Sequence, residues 1–312
     1  MEIRGKRFVV TGGSGFVGSH VVETLLDRGA GEVVVFDKEV RGENVASRSE
    51  VRVVEGDVTD PPAVRAAVEG ADGVFHMAVL PLRPSVEDPR RAHEVNVGGS
   101  LNVFEAARDA GAQKVVYTSA SSVYGDTDET MDETHPLDTR TMYGATKAAA
   151  ELYLRAFNDA YGLPYVTLRY MNIYGPRQQG GLVPAVTRRL LSGESPVIEG
   201  DGSQSFDFVH VRDVADATVH AMVSDVSDET FNEPPTLTSC ASRGFSTDGR
   251  SGSTAMWKTP SAPSTTALTA PGSVTSPSTA CTASAGARFS CRTSLSKTTT
   301  SPAPRSRSES TT

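Results

Sequence analysis

Between the apolar run Phe8-Val9-Val10 and a segment with apolar residues at helical spacing stands Thr11-Gly12-Gly13-Ser14-Gly15-Phe16-Val17-Gly18. Glycines at 12, 15 and 18 permit a turn too tight for side chains, close approach of backbone to a pyrophosphate, and close packing of helix on strand. A helix starting near Gly15 offers free N–H groups and the positive end of its dipole to that anion. Gly12, Gly15, Phe16, Val17 and Gly18 are therefore candidate dinucleotide contacts. Three spaced glycines also occur in ordinary turns; the strand before and the helix after are what favour the binding reading.

The same alternation continues for two hundred residues. Strands are expected at Arg7–Thr11, Glu32–Asp37, Val51–Glu55, Gly73–Ala78, Lys114–Ser119 and Tyr165–Arg169. Helices are expected at Gly15–Arg28, Ala92–Ala110 and Tyr143–Tyr161, the first with Val17, Val21, Val22, Leu25 and Leu26 on one face. Nearly unbroken apolar strands belong in a sheet covered on both faces. Strand and helix alternating at this spacing predict right-handed βαβ units, hence an α/β fold of Rossmann type with a doubly wound parallel sheet.

Asp37 closes the second strand about 20 residues after the glycine turn, where an acid accepts hydrogen bonds from the adenosine ribose. A carboxylate there repels a 2′-phosphate, so NAD is expected over NADP, with Lys38 and Arg41 pulling the other way. Asp57-Val58 follows the third strand and suits the adenine side of such a site; a helix-capping aspartate reads equally well. Tyr143 and Lys147 open a helix at i, i+4, which puts both on one face. An ammonium beside a phenol favours phenolate and should lower the tyrosine pKa from about 10. Such a tyrosine can take the proton of a sugar hydroxyl while hydride leaves the same carbon. On an isolated helix the pair would be surface decoration; after a dinucleotide turn and a serine-rich strand end it reads as catalytic.

Taken together, these stretches resemble the extended short-chain dehydrogenase/reductase family, in its nucleotide-sugar epimerase/dehydratase branch. The likeness is carried by the turn at 12–18, Val74-Phe75-His76-Met77-Ala78, Asn96 to Asn102, Tyr117 to Gly125, Tyr143/Lys147, Leu168 to Arg177, and Gly200-Asp201-Gly202-Ser203-Gln204. They run in order over about three quarters of the chain. The resemblance implies bound NAD with Ala78, Asn96 and Lys147 on the cofactor side, and a nucleoside-diphosphate sugar met by Asn172 and Arg177. It further implies, for an intact family member, a homodimer and a small C-terminal domain closing over the sugar. His76 reads equally as a strand-end histidine satisfied within the core.

Two positions depart from the pattern. The family's catalytic Ser/Thr falls four residues before the tyrosine of Tyr124-Gly125, and Ala120 stands there; Ser121, or Ser119, is the expected stand-in. Phe206 occupies a place where relatives often carry an arginine for the diphosphate. Dehydratases and decarboxylases of this branch place an acid just before Val-Tyr-Gly, whereas this chain has Ser121 and Ser122. Epimerisation at C4, through a 4-keto sugar, is the reaction expected; a dehydratase or reductase of the same branch, or an NAD-binding protein without turnover, is the alternative.

At Asn232 the composition breaks. Residues 1–232 hold 35 acidic and 22 basic residues, a net −13, and residues 233–312 hold 3 and 8, a net +5, giving the chain's −8. Of those last 80 residues 35 are Ser or Thr and only 6 are Leu, Ile, Val or Phe, below the roughly 20% needed to offset ordering entropy. The expected organisation is a domain over 1–232 and a Ser/Thr/Pro-rich tail over 233–312 without a fold. With suitable codons, Arg288 to Thr298 reads in another frame as a segment resembling the family's late Leu-Gly-Tyr/Phe-x-Pro, so a shifted reading frame competes with a genuine tail. The acidic body argues against nucleic acid, and no stretch approaches the ~18 apolar residues of a membrane span. Cys240, Cys281 and Cys291 lack metal-like spacing, so no metal is expected. With no secretory signal, a cytoplasmic location is expected.

Overall fold

The computed structural model describes residues 1–41, 45, 47–127, 131–197, 200, 202, 206–232, 280–284 and 288–292. Seven parallel strands form the central sheet: β1 (Arg7–Thr11), β2 (Glu32–Asp37), β3 (Val51–Glu55), β4 (Gly73–His76), β5 (Lys114–Ala120), β6 (Tyr165–Tyr170) and a later strand, Glu229–Asn232. Their order is β3-β2-β1-β4-β5-β6 followed by that last strand, so the winding reverses direction between β1 and β4. A ligand crevice belongs at such a switch point, outside the carboxyl ends of the strands.

Alternation along each strand explains the two cores. Phe8, Val10, Val33, Val35, Phe75, Val116, Val166 and Leu168 pack on one face, with α1 (Phe16–Asp27) and the helix Val211–Val223. Val9, Val34, Phe36, Val74, Val115 and Tyr117 pack on the other, under α2 (Pro61–Val68) and the helices Gly99–Asp109 and Met142–Tyr161. Most of these side chains are inaccessible to solvent, and each fully buried Val or Phe stabilises the fold by roughly 1.5–3 kcal/mol. Val17 and Leu26 sit at the margin of the first cluster.

Two expectations need correction. The strand foreseen over Gly73–Ala78 stops at His76. After a short helix, α3 (Leu82–Glu87), the single helix foreseen over Ala92–Ala110 is three pieces: the end of α4 (Pro89–His93), a π-helical turn at Glu94–Gly98, and α5 (Gly99–Asp109). That turn carries Asn96, whose amide faces inward to the loop after β4, and one-turn π-helical segments are frequent at functional sites. Within the segment expected to lack a fold, the described residues include an antiparallel pair, Ala280–Ser284 with Arg288–Arg292. Two strands alone are marginal in water. The rest of 233–312 lies outside the described residues. The chain divides into two compact units, Met1–Pro196 with Asp207–Ala255 and Val197–Phe206 with Met256–Thr312; the parallel sheet lies wholly in the first.

Candidate active site

In register, Thr11 of β1 pairs with His76 of β4, and His76 with Tyr117 of β5. The glycine turn, Met77-Ala78 and Thr118 to Ser121 therefore leave the sheet at one edge. Gly12 has φ of 70°, and a Cβ on it would meet the Ala78 backbone N at 2.9 Å. A Cβ on Gly18 would lie 2.2 Å from the Gly12 carbonyl oxygen. The loop is thus a cradle that admits backbone only. Gly15 starts α1 with no side chain capping it and no acid in the first turn, so the amide end by Phe16 and Val17 suits an anion. Asp37 accepts the Ser14 N–H at 3.1 Å and the Glu39 N–H at 3.2 Å, which fixes its carboxylate beside the cradle. These features fit a dinucleotide.

Asp57 accepts the N–H and hydroxyl of Thr59, both at 2.9 Å, and pairs with Arg91. It does not cap a helix; Asp60 does, at the start of α2. Val58 is buried against Gly99, and its carbonyl accepts the Asn102 amide at 2.8 Å. Asn96 is buried and clasps Leu80, accepting its N–H at 2.7 Å and donating to its carbonyl at 3.2 Å, while donating also to Thr146 at 3.0 Å. Both amide hydrogens are thereby used within the protein.

His76 proves to be satisfied in the core. The Thr11 hydroxyl oxygen accepts the N–H groups of Met77 and Ala78, each at 3.1 Å, so its own proton goes to His76 Nδ1 at 2.8 Å. Nε2–H then donates to Ser100 Oγ at 2.8 Å, which donates to the Asn96 carbonyl at 2.6 Å. The chain of bonds fixes one neutral tautomer, and burial lowers the imidazole pKa to about 3. A polar thread thus joins the glycine cradle to Asn96 and, through Thr146, to the helix of Tyr143. Sequence reading missed Thr11, Ser100 and Thr146, single hydroxyls with no spacing to mark them.

That helix, α6 (Met142–Tyr161), starts at Thr141, whose hydroxyl accepts the Gly144 N–H at 3.0 Å, and stops at Gly162 in left-handed conformation. Tyr143 and Lys147 lie in its first two turns. Lys147 is buried, donates to the Thr118 carbonyl at 2.6 Å, and sits 4.9 Å from the Tyr117 ring centroid and 6.0 Å from that of Tyr143. Burial pushes the Tyr143 phenol up to about 12 and the Lys147 ammonium down to about 7, the latter opposed by the Glu151 charge. The expected lowering of the tyrosine is therefore not what this geometry gives, because the ammonium is drawn to Thr118 and desolvation dominates.

A Cβ on Gly144 would fall 2.4 Å from the Ser122 carbonyl oxygen. That glycine lets the 3₁₀ turn Ser121–Val123 pack directly on the helix beside Tyr143. Ser121 is partly exposed. The hydroxyls of Ser119 and Ser122 are buried without a hydrogen-bond partner among the described residues, which leaves both able to bond a group that enters beside them. Ser122 was not singled out from sequence; its burial beside Gly144 distinguishes it.

The two residues expected to meet substrate are bonded to other parts of the chain. Asn172 is exposed on a short strand, Asn172–Tyr174, paired with Phe208–His210, and donates to the Asp207 carbonyl at 3.3 Å. Arg177 has φ of 70° and is tied to α1, to Ser19 Oγ at 3.1 Å and to Glu23. Its guanidinium is engaged with α1. The Gly200–Gln204 motif lies mostly outside the described residues.

The family model described as NAD dependent epimerase/dehydratase matches residues 8–232. The chain belongs to that family. A putative UDP-glucose 4-epimerase of Methanocaldococcus jannaschii is 34% identical over 222 residues, covering 69% of this chain and 72% of the relative. Among solved structures, Thermus thermophilus UDP-glucose 4-epimerase in complex with NAD is 38% identical with a TM-score of 0.65, covering 72% of this chain and 76% of that one. A dTDP-glucose 4,6-dehydratase from Streptomyces venezuelae with NAD bound is 31% identical with a TM-score of 0.70, covering 74% and 76%. Family members are NAD-dependent enzymes, and NAD is this chain's cofactor. Among the described residues no helix is long and apolar enough to cross a membrane, and no cluster of potential ligands could hold a metal ion.

Proposed function

We propose that this chain is a 4-epimerase of a nucleoside-diphosphate sugar. The observation that carries the reading is the turn Ser121–Val123, seated on Gly144 beside Tyr143 with hydroxyls and no carboxylate. Elimination of water or carbon dioxide needs a further acid, whereas epimerisation needs only one base and one hydroxyl. Tyr143 would accept the proton of the sugar 4-OH and return it after the 4-keto sugar has turned over. Lys147 would favour the phenolate when the site is filled, and a hydroxyl from Ser119, Ser121 or Ser122 would orient the 4-oxygen. Gly12, Gly15, Phe16, Val17, Gly18, Asp37, Asp57, Val58, Ala78 and Asn96 would hold or shape the seat of NAD, whose nicotinamide supplies reversible hydride acceptance. Asn172 and Arg177 remain proposed for the substrate side; for Arg177 this requires exchange of its Glu23 partner. A homodimer and a cytoplasmic setting complete the proposal.

A second reading has its own support. The family match stops at residue 232, and the helix α7 (Leu182–Leu191) has no buried residue. We therefore also consider a chain that binds NAD without turnover, its closing domain replaced by residues 233–312 through a changed reading frame. A coupled assay of UDP-galactose conversion decides, run on this polypeptide and on one whose frame is restored after codon 232. Turnover in both supports the epimerase; turnover only in the restored protein supports the second reading. Activity in neither, with NAD bound, sinks the epimerase proposal for this substrate class.

A further inference from the structure

The stripe of Tyr143 and Lys147 continues one helical turn to Glu151, which is 7% exposed. Arg169 of β6, 6% exposed, forks onto it: Nε lies 3.1 Å from Oε1 and Nη2 2.7 Å from Oε2. The remaining Nη1 donates to the Tyr124 hydroxyl at 2.6 Å, and that hydroxyl donates to Asn232 Oδ1 at 2.6 Å. Tyr124 directly follows the serine turn. One guanidinium therefore joins the helix of the reacting pair, the adjacent strand and the turn carrying Ser121 and Ser122. A buried ion pair of this kind is seldom more stable than apolar side chains of the same volume, so its presence calls for a role besides stability.

We propose that Glu151 and Arg169 are positioning residues for the Tyr143/Lys147 pair: Arg169 fixes the serine turn against the helix, and the carboxylate it holds keeps Lys147 cationic. The proposal rests on the reading of Tyr143 and Lys147 as the reacting pair. The groups around Lys147 are Tyr117 of β5, Tyr143 and Glu151 of its own helix, and His76 of β4, whose imidazole feels the lysine charge. Tyr117, Tyr143 and His76 are all neutral near pH 7, their pKa values displaced away from it by burial. Glu151 is then the near negative charge, with Arg169 behind it.

The test is titration of Lys147 in the full chain by NMR of ¹³Cε-labelled lysine. There are six lysines, and loss of one signal in Lys147→Met makes the assignment. The unmodified protein is expected to titrate at about 7. Glu151→Gln should lower the midpoint by ~1 unit or more, a tenfold change in the protonation equilibrium. The double variant Glu151→Gln/Arg169→Met leaves no orphaned charge and so guards against misfolding; it should show the same direction of shift. Glu151→Asp, which retains the carboxylate, should restore most of the unmodified midpoint. A Lys147 midpoint unmoved in the folded double variant, or an ordinary lysine value in the unmodified protein, overturns the proposal. Absence of turnover on any nucleotide sugar, with these shifts intact, overturns the epimerase reading and leaves only the effect of Glu151 on Lys147 standing.

Discussion

Burial raises the Tyr143 phenol to about 12, so its proposed work as a base depends on Lys147, 6.0 Å from its ring centroid, favouring the phenolate once the site is filled. Tyr143→Phe should lower turnover by about 10²–10⁴-fold, the usual contribution of a general acid–base group. NAD affinity should stay within a few-fold, because the proposed pyrophosphate contacts lie on the glycine cradle. Calorimetric titration with NAD beside the coupled assay reads both; retained turnover would dismiss Tyr143 as the base. Asp37→Ala should act in the opposite sense, weakening NAD and narrowing its advantage over NADP, since the carboxylate beside the cradle is removed. Tighter binding of NADP than of NAD by the unmodified protein would contradict the reading of Asp37. His76 makes a prediction about stability. Its folded pKa of about 3 lies below the ordinary 6.5, so between those values the unfolded chain binds a proton that the folded one refuses. Stability from this group is complete above pH 6.5 and is lost as pH falls toward 3, by up to ~1.4 kcal/mol per pH unit. His76→Gln keeps an acceptor and a donor without titrating. Its stability deficit against the unmodified protein, measured by urea unfolding, should therefore shrink from pH 7 to pH 4.5; a constant deficit would show that His76 is not buried neutral.

The cradle, at the scale of elements, works because two backbone segments touch where side chains cannot fit. Gly18→Ala would set a methyl 2.2 Å from the Gly12 carbonyl oxygen and 2.8 Å from Gly13 Cα, and neither neighbour has a flexible end to swing away. The helix must shift from the turn, at a cost of roughly 1–3 kcal/mol, and NAD affinity should fall at least tenfold; unchanged affinity in Gly18→Ala would show that α1 does not depend on this contact. This part was legible in the sequence because its constraint is local: glycine spacing, then strands such as Glu32–Asp37 and Val51–Glu55 whose apolar runs end where the structure ends them. Long-range partners were not legible. Arg177 meets Glu23 across 154 residues of chain, and Arg169 meets Tyr124 across 45. Nothing in the local pattern announces either pairing, although Glu151 at i+4 from Lys147 could have been noticed from spacing alone. The helix expected over Ala92–Ala110 failed for a related reason. Its interior carries Asn96 and Ser100, whose bonds to Leu80 and to the Asn96 carbonyl accompany the widened turn. Apolar periodicity is blind to such bonds.

Across the whole molecule, the parallel sheet closes at Asn232, and the family match ends at the same residue. Asn232 is firmly held: its N–H donates to Glu133 Oε1 at 2.9 Å, its amide to the Met131 carbonyl at 3.0 Å, and its Oδ1 accepts from Tyr124. Beyond it, 6 Leu, Ile, Val or Phe among 80 residues are too few to offset ordering entropy of about 1–2 kcal/mol per residue. Meanwhile Leu182, Leu190 and Leu191 on α7 are 51%, 59% and 83% exposed, and exposed apolar patches beyond a few hundred Å² favour self-association. Limited proteolysis should therefore cut soon after residue 232 and leave a core that binds NAD as tightly as the intact chain but self-associates, as seen by light scattering. If the reading frame shifts after codon 232, restoring it should cover the leucines of α7, slow the cleavage and suppress the association together, because all three would then depend on one apolar partner. A tail that resists protease and gives dispersed amide resonances would refute this, since residues 233–312 would then pack as a domain despite their composition.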